Sequence, residues 1–262
     1  PLLNKPIKLS LMSASAQNTR YQLIISNCLK KRITSALQRF SYISVRDIWT
    51  QNMINHLTRG TIKSIITPDP VFSFNQNVGD LHNKKYIMEK YNLPEHYVLF
   101  STTQQQFLGS WIIELAKIFS NHGIKLIELP IANMSYKEHC IEHISQAIPP
   151  DDWYCLIKYA TGYIGELMHP ILVSLHNGTP IYAIDTYGFI NHGKFDYTSS
   201  KTYQILQNFN LTDNWFSTHI KQNTPTPNEV FSKIIKFNRE LCLQHASRKQ
   251  YEYNLMMKDI LK

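Results

Sequence analysis

Strand-like and helix-like segments alternate along this chain, and that alternation limits its fold more than any other feature. Residues 7–12 read as a strand. Residues 21–40 place Leu23, Ile24, Cys28, Leu29, Ile33 and Leu37 at helical spacing. Residues 42–45 read as a strand, 48–57 as a helix closed by Gly60, and 63–66 as a strand stopped by Thr67-Pro-Asp-Pro70. The polar, weakly patterned stretch 73–95 reads as a linker. A second series follows: a strand at 96–100, a helix at 110–120, a strand at 125–129, and helices at 135–147 and 151–159. It continues with a strand at 162–164, a helix at 166–176 ended by Asn177-Gly178, and a strand at 180–184. Residues 228–262 read as the longest helical segment.

Such alternation builds mostly parallel sheets with helices on both faces, an α/β fold of Rossmann type. The expected organisation is a partial N-terminal Rossmann-like lobe over 1–80 and a second over 81–225. A helical segment over 226–262 would pack across both. Ligands in parallel α/β folds sit at the carboxyl ends of the strands. That rule selects Arg46-Asp47, Asp69, Glu128, residues 165–169 and residues 185–188.

Composition then excludes several function classes. Only nine glycines are scattered over 262 residues, and none forms a G-x-G-x-x-G or Walker pattern. A dinucleotide dehydrogenase and a P-loop NTPase are disfavoured. The net charge is +8, but the basic residues are dispersed, with Lys30-Lys31-Arg32 the longest run. That distribution argues against a nucleic-acid partner and leaves attraction to phosphorylated substrates or anionic membrane surfaces open. Cys28, Cys140, Cys155 and Cys242 form no C-x-x-C pair and read as reduced thiols. No apolar run approaches the ~20 residues needed to span a bilayer. The expected location is cytoplasmic, with peripheral contact at the inner membrane face left open.

Four local patterns could carry chemistry. His139-Cys-Ile-Glu-His143 matches a zinc-protease spacing, but no third ligand accompanies it. It reads as the face of an amphipathic helix, with Ser135 and Glu138 spaced as a capping box. Asp151-Asp152 follows two prolines and reads as a helix cap rather than a metal-binding pair. Arg46 ends a strand, where its guanidinium could face a phosphate or carboxylate, or instead form a structural pair with Asp47 or Asp69. His169 falls in a first helical turn, where it could meet an anion or pack as a buried histidine.

Taken in order, Ser44-Val-Arg-Asp47, Asp69-Pro70 and Gly165-Glu-Leu-Met-His169 resemble the polysaccharide pyruvyl transferase family. Asp185-Thr-Tyr-Gly188 and residues 199–206 resemble its later segments. The resemblance runs from about residue 8 to residue 210. It implies a GT-B-like fold of two Rossmann-type halves, with the opening strands of the first half missing from this chain. It also implies transfer of a carboxyvinyl unit from phosphoenolpyruvate, a donor substrate rather than a cofactor, to a sugar during exopolysaccharide biosynthesis. The acceptor would be a sugar or a lipid-linked oligosaccharide. Neither cofactor nor metal is called for, and the oligomeric state is not indicated.

On this resemblance Arg46 and His169 are the catalytic candidates. Arg46, Gly165, Glu166, His169 and Lys158 are the donor-binding candidates. Asp69, Glu128, Asp185 and Tyr187 are acceptor-binding or structural. The chain departs from the family at Leu167, where the family turn carries an arginine. Lys158 could supply the missing cation, the donor could differ, or the chain could be inactive. The alternatives are therefore a GT-B nucleotide-sugar glycosyltransferase or a noncatalytic carbohydrate-binding relative.

Overall fold

A computed structural model describes residues 7–16, 19–130 and 141–262. In chain order the elements are β1 (Leu9–Ala14), α1 (Asn27–Leu37), β2 (Phe40–Val45), α2 (Ile48–Thr58), β3 (Ile65–Ile66), α3 (Phe74–Asn77) and α4 (Lys84–Tyr91). Next come β4 (Tyr97–Ser101), α5 (Ser110–Asn121), β5 (Lys125–Glu128), β6 (Glu142–His143), α6 (Pro150–Tyr159), β7 (Gly162–Gly165), α7 (Met168–Asn177) and β8 (Ile181–Asp185). The last are β9 (Phe189–Asn191), β10 (Lys194–Asp196), α8 (Lys201–Asn208), β11 (Trp215–Ser217), α9 (Pro227–Ile235) and α10 (Arg239–Leu261). The chain divides into two compact units. One takes Pro1–Pro70, Tyr187–Gln204 and Lys249–Lys262, and the other Val71–Thr186 and Ile205–Arg248.

The first unit holds a parallel sheet in the order β1-β2-β3. Ile43, Val45 and Ile54 form its small core, with Leu11, Leu37 and Phe40 against them. Asp47 starts α2 by accepting a hydrogen bond from the Thr50 N–H at 2.7 Å, an N-cap worth about 1 kcal/mol. Near the end of β1 the register shifts, and Ser13 takes a left-handed φ of 47°. Its hydroxyl donates to the Pro68 carbonyl at 2.7 Å, and its N–H donates to Ser44 Oγ at 2.9 Å. These bonds hold the strand ends and the loop after β3 together. The antiparallel β9–β10 hairpin turns through His192 and Gly193, both at positive φ, as a two-residue hairpin loop requires.

The second unit holds a six-stranded, wholly parallel sheet in the order β11-β8-β7-β4-β5-β6. Successive strand residues face opposite sides. Tyr97, Leu99, Tyr163, Ile181 and Ala183 therefore pack with α4, α6 and α7. Val98, Phe100, Ile164, Tyr182 and Ile184 pack with α5 and α9. Both faces are apolar, which is why these strands read as continuous hydrophobic runs.

Several sequence expectations change here. Residues 73–95 are not a linker, because Ile87 and Tyr91, one helical turn apart, bury one face of α4 in the core of the second unit. The polar residues that masked this pattern lie on its other face. Glu142 and His143 form a short strand beside β5, not a helix. The proposed cap and His139 lie outside the described residues. The helix expected from residue 166 starts at Met168. The segment expected as one C-terminal helix is two, α9 and α10, separated at residues 236–238. Cys28 is exposed, whereas Cys155 and Cys242 are buried and unpaired by disulfides. Burial pushes the Cys242 thiol up to about 12, so it is an inert core residue. Among the described residues no helix is long and apolar enough to cross a membrane.

Candidate functional site

Each unit presents its own group of polar residues at the carboxyl edge of its sheet. In the first unit, Arg46 directly follows β2, and its N–H donates to the Ala14 carbonyl at 3.0 Å. The Arg46 guanidinium donates through Nη1 to Asp69 Oδ2. Asp69 is 7% exposed and Arg46 is 21% exposed. The Asp69 partnership is the structural pair that sequence left open, while Asp47 serves α2 instead. The pair does not saturate Arg46, because its buried Nε has no hydrogen-bond partner among the described residues, and neither does Ser15 Oγ.

In the second unit, strand register places Glu128 opposite Phe100, Ser101 opposite Gly165, and Gly165 opposite Ala183. Glu128, Gly165 and Asp185 thus lie along one carboxyl edge. Gly165 is there because nothing larger fits. A Cβ at this position would collide with the Ser101 backbone carbonyl and the Tyr163 hydroxyl. Tyr163 organises the turn: its hydroxyl is 2.6 Å from Ser101 Oγ and accepts from the Leu167 N–H at 3.2 Å.

Glu166 is held tightly. Oε2 accepts from Thr102 Oγ1 at 2.8 Å, the Thr103 N–H at 3.1 Å and Gln104 Nε2 at 3.3 Å, and Oε1 accepts from Thr103 Oγ1 at 3.0 Å. Its carboxylate therefore occupies the hydrogen-bonding loop after β4. Two residues further on, α7 begins with Leu167 as an N-cap that offers no side-chain bond. His169 is exposed in the first turn, so the buried-histidine alternative does not hold.

The remaining candidates are engaged with other partners. Asp185 is fully buried, and its Oδ2 accepts from Trp215 Nε1 at 2.8 Å. Lys158 lies in the last turn of α6, before β7 begins. Its carbonyl accepts from Thr179 Oγ1, just ahead of β8. That is the edge where strands start, opposite to Gly165 and Glu166, so Lys158 does not stand in for the cation missing at Leu167. Tyr187 belongs to the first unit, with Lys201 Nζ 3.9 Å from its ring centroid. Asp152 does not cap α6 with its side chain. It is buried and accepts from Lys90 Nζ at 2.6 Å and the Tyr91 hydroxyl at 2.7 Å. Burial raises its pKa, and the Lys90 and Tyr91 bonds reverse this, holding it below the usual carboxylate range. Among the described residues no group of three or more His, Cys, Asp and Glu could hold a metal ion.

Sequence reasoning missed Thr102, Thr103 and Gln104. The signal was present: a polar run directly after a fully buried strand, at the edge where parallel sheets bind ligands.

Two parallel α/β units with polar strand ends define the class of fold. The sequence model of the polysaccharide pyruvyl transferase family matches residues 2–187. The chain belongs to that family, a family of transferases. No curated protein matches it by sequence. Among solved structures, a protein described as a UDP-N-acetylglucosamine 2-epimerase from Listeria monocytogenes is 10% identical, with 91% of this chain covering 61% of that one at a TM-score of 0.47. The glycotransferase of kitacinnamycin is 11% identical, with coverages of 86% and 57% and a TM-score of 0.40. Os79 from O. sativa, in complex with UDP, is 13% identical, with coverages of 82% and 52% and a TM-score of 0.42. The chain thus spans from about half to three-fifths of the length of these structures.

Proposed function

We propose that this chain carries the donor site of a pyruvyl transferase that uses phosphoenolpyruvate and modifies a sugar of a surface-polysaccharide precursor. Family membership supports the class. The observation that carries the donor assignment is Arg46, held by Asp69 at the carboxyl edge of β2 and retaining a buried Nε without a partner. A guanidinium so placed can bind the phosphate or carboxylate of the donor.

The reaction needs a proton delivered to the donor methylene carbon and attack of a sugar hydroxyl on the adjacent carbon. The carbon–oxygen bond to phosphate then breaks, releasing inorganic phosphate. A second sugar hydroxyl adds to the same carbon and closes the ketal. Each hydroxyl gives up its proton as it bonds. His169, exposed in the first turn of α7, is assigned as the acid. Gly165 lets the turn approach Ser101, and Glu166 fixes the loop after β4 rather than contacting donor. Asp69 orients Arg46. Glu128 and Asp185 complete the edge, and Tyr187 is assigned to the acceptor side. The acceptor is a sugar or a lipid-linked oligosaccharide, handled in the cytoplasm or at the inner membrane face.

Incubation of the intact protein with phosphoenolpyruvate and candidate sugar acceptors should release phosphate, and His169→Ala should abolish that release. No phosphate from the wild type, and no change on substitution, would defeat the proposal.

A second reading, a nucleotide-sugar glycosyltransferase, is favoured by one observation. At the turn, Leu167 offers no cation, and the carboxylate of Glu166 sits among the loop donors. Thermal stabilisation by UDP- or GDP-sugars but not by phosphoenolpyruvate would select it.

A further inference from the structure

No basic run in this chain exceeds three residues, yet the charge is divided unevenly between the two units. The first unit carries fifteen Lys and Arg against five Asp and Glu, and the second carries twelve against fourteen. The excess is sharpest at the start, where residues 1–46 hold eight basic residues and no acidic one. The next two carboxylates are both withdrawn from the surface. Asp47 is buried as the cap of α2, and Asp69 is buried against Arg46. Neither offsets the cations of α1.

Exposed apolar side chains gather on the same part of the unit. α1 has no buried residue. In the segment that leads into it, Leu23 is 72% exposed and Ile25 is 84% exposed, and Leu29 in its first turn is 42% exposed. Tyr21 anchors this segment. It is buried edge-on against Trp49 at 4.7 Å and lies 5.6 Å from the His56 ring, both on α2. From α1, Lys30 Nζ comes within 3.4 Å of His56 Nε2. His56 thus brings the segment before α1, α1 itself and α2 together. Lys31 and Arg32 follow on α1, and Arg59 lies one turn beyond His56 at the end of α2. All three are exposed.

We infer that this surface docks on an anionic lipid bilayer. Leu23 and Ile25 enter the headgroup boundary, and Lys30, Lys31, Arg32 and Arg59 face the lipid phosphates. Aliphatic side chains beside a basic cluster supply the two parts of a peripheral membrane contact, apolar insertion and attraction to anionic lipid. A nucleic acid would use the cations alone and leave two large aliphatic side chains in water. A second copy of the chain would bring two strongly positive surfaces together, which charge opposes. The inference does not depend on the donor reading, since none of these residues takes part in it.

The test is sedimentation of the intact chain with vesicles of phosphatidylcholine alone and of phosphatidylcholine with 30% phosphatidylglycerol. Partitioning should be at least tenfold greater onto the anionic vesicles, and it should fall several-fold between 0.1 M and 0.5 M salt. The double variant Leu23→Ser, Ile25→Ser and the triple variant Lys30→Gln, Lys31→Gln, Arg32→Gln should each lose at least tenfold. The double variant Lys84→Gln, Lys85→Gln, which removes the paired lysines of the second unit, should partition like the wild type. Equal binding to both vesicles, or to neither, would overturn the inference. So would a folded patch variant that partitions like the wild type, or an equal loss in the Lys84, Lys85 variant. Tighter binding to a 20-base-pair DNA duplex that survives the Leu23, Ile25 substitutions would assign the surface to nucleic acid instead. Self-association without vesicle binding, abolished by those substitutions, would assign it to a second copy. Should the serine variant not fold, the glutamine variant measured against its Lys84, Lys85 control decides. Phosphate release from phosphoenolpyruvate with a soluble sugar needs no vesicle, so the two proposals fall separately.

Discussion

The two strand-end groups contrast in how their charges are used. In the first unit a guanidinium is held by one carboxylate and keeps hydrogen-bonding capacity in reserve. In the second a carboxylate accepts four bonds from neutral donors and is fully engaged. The same rule of parallel sheets put both groups at carboxyl edges, yet of these two charged side chains only Arg46 keeps a polar atom without a partner among the described residues. Position marks a residue as a candidate; the count of unused donors and acceptors decides whether it can bind.

The largest expected effect tests that contrast directly. Arg46→Ala should reduce phosphate release by about 100-fold or more, the scale for losing one charge-stabilising donor. Its melting temperature should move by only about 2–4 °C, equivalent to roughly 1 kcal/mol for a chain of this size. A large loss of stability with activity retained would reverse the roles assigned to the two groups.

The second effect belongs to the second unit alone and depends on pH. His176 is buried at the end of α7, with its Nδ1 3.0 Å from the Tyr154 hydroxyl. Burial, aided by the nearby charge of Lys158, lowers its pKa from 6.5 to about 4. The unfolded chain takes up this proton first. The contribution is therefore complete above pH 6.5 and is lost as pH falls towards 4. The total is about 3 kcal/mol. Denaturant unfolding at intervals across that window should show the decline, and His176→Gln should flatten it.

A smaller loss is expected at Gly165. Gly165→Ala should cost about 2–3 kcal/mol through overpacking against Ser101 and Tyr163, measured by the denaturant midpoint. Glu166→Ala should follow at about 1–2 kcal/mol, because it strands the donors of Thr102 and Thr103. An unchanged midpoint for Glu166→Ala, together with weaker phosphoenolpyruvate binding, would move that carboxylate from scaffold to ligand site.

The smallest effect is the most informative about history. Leu167→Arg should tighten phosphoenolpyruvate binding at most about fivefold, the ~1 kcal/mol of an exposed ion pair. A gain would mark a site that has lost its cation, whereas no gain would mark a pocket rebuilt around Leu167.

Much of this fold was legible because apolar runs in a doubly covered parallel sheet are nearly continuous. β4, β7 and β8 stand out for that reason, and Arg46 and Gly165 were placed correctly at strand ends. α4 was not legible, because Ile87 and Tyr91 supply only a narrow buried stripe among lysines. The locking of Glu166 was not legible either, since its partners lie more than sixty residues away. Sequence periodicity reports which face of an element is apolar. It does not report which distant loop will satisfy a charge.

The division of the chain has a practical consequence for dissecting it. The first unit is assembled from three separate stretches, and the boundary at Arg248 and Lys249 falls inside α10. A single proteolytic cut or stop codon cannot release either unit with all its parts. A stop codon after Arg248 would remove Met256, whose sulfur lies 3.5 Å from the hydroxyls of Ser13 and Ser44 at the strand ends. Shortening the tail would then register at the opposite end of the sequence, making C-terminal deletions a sensitive probe of the Arg46 neighbourhood.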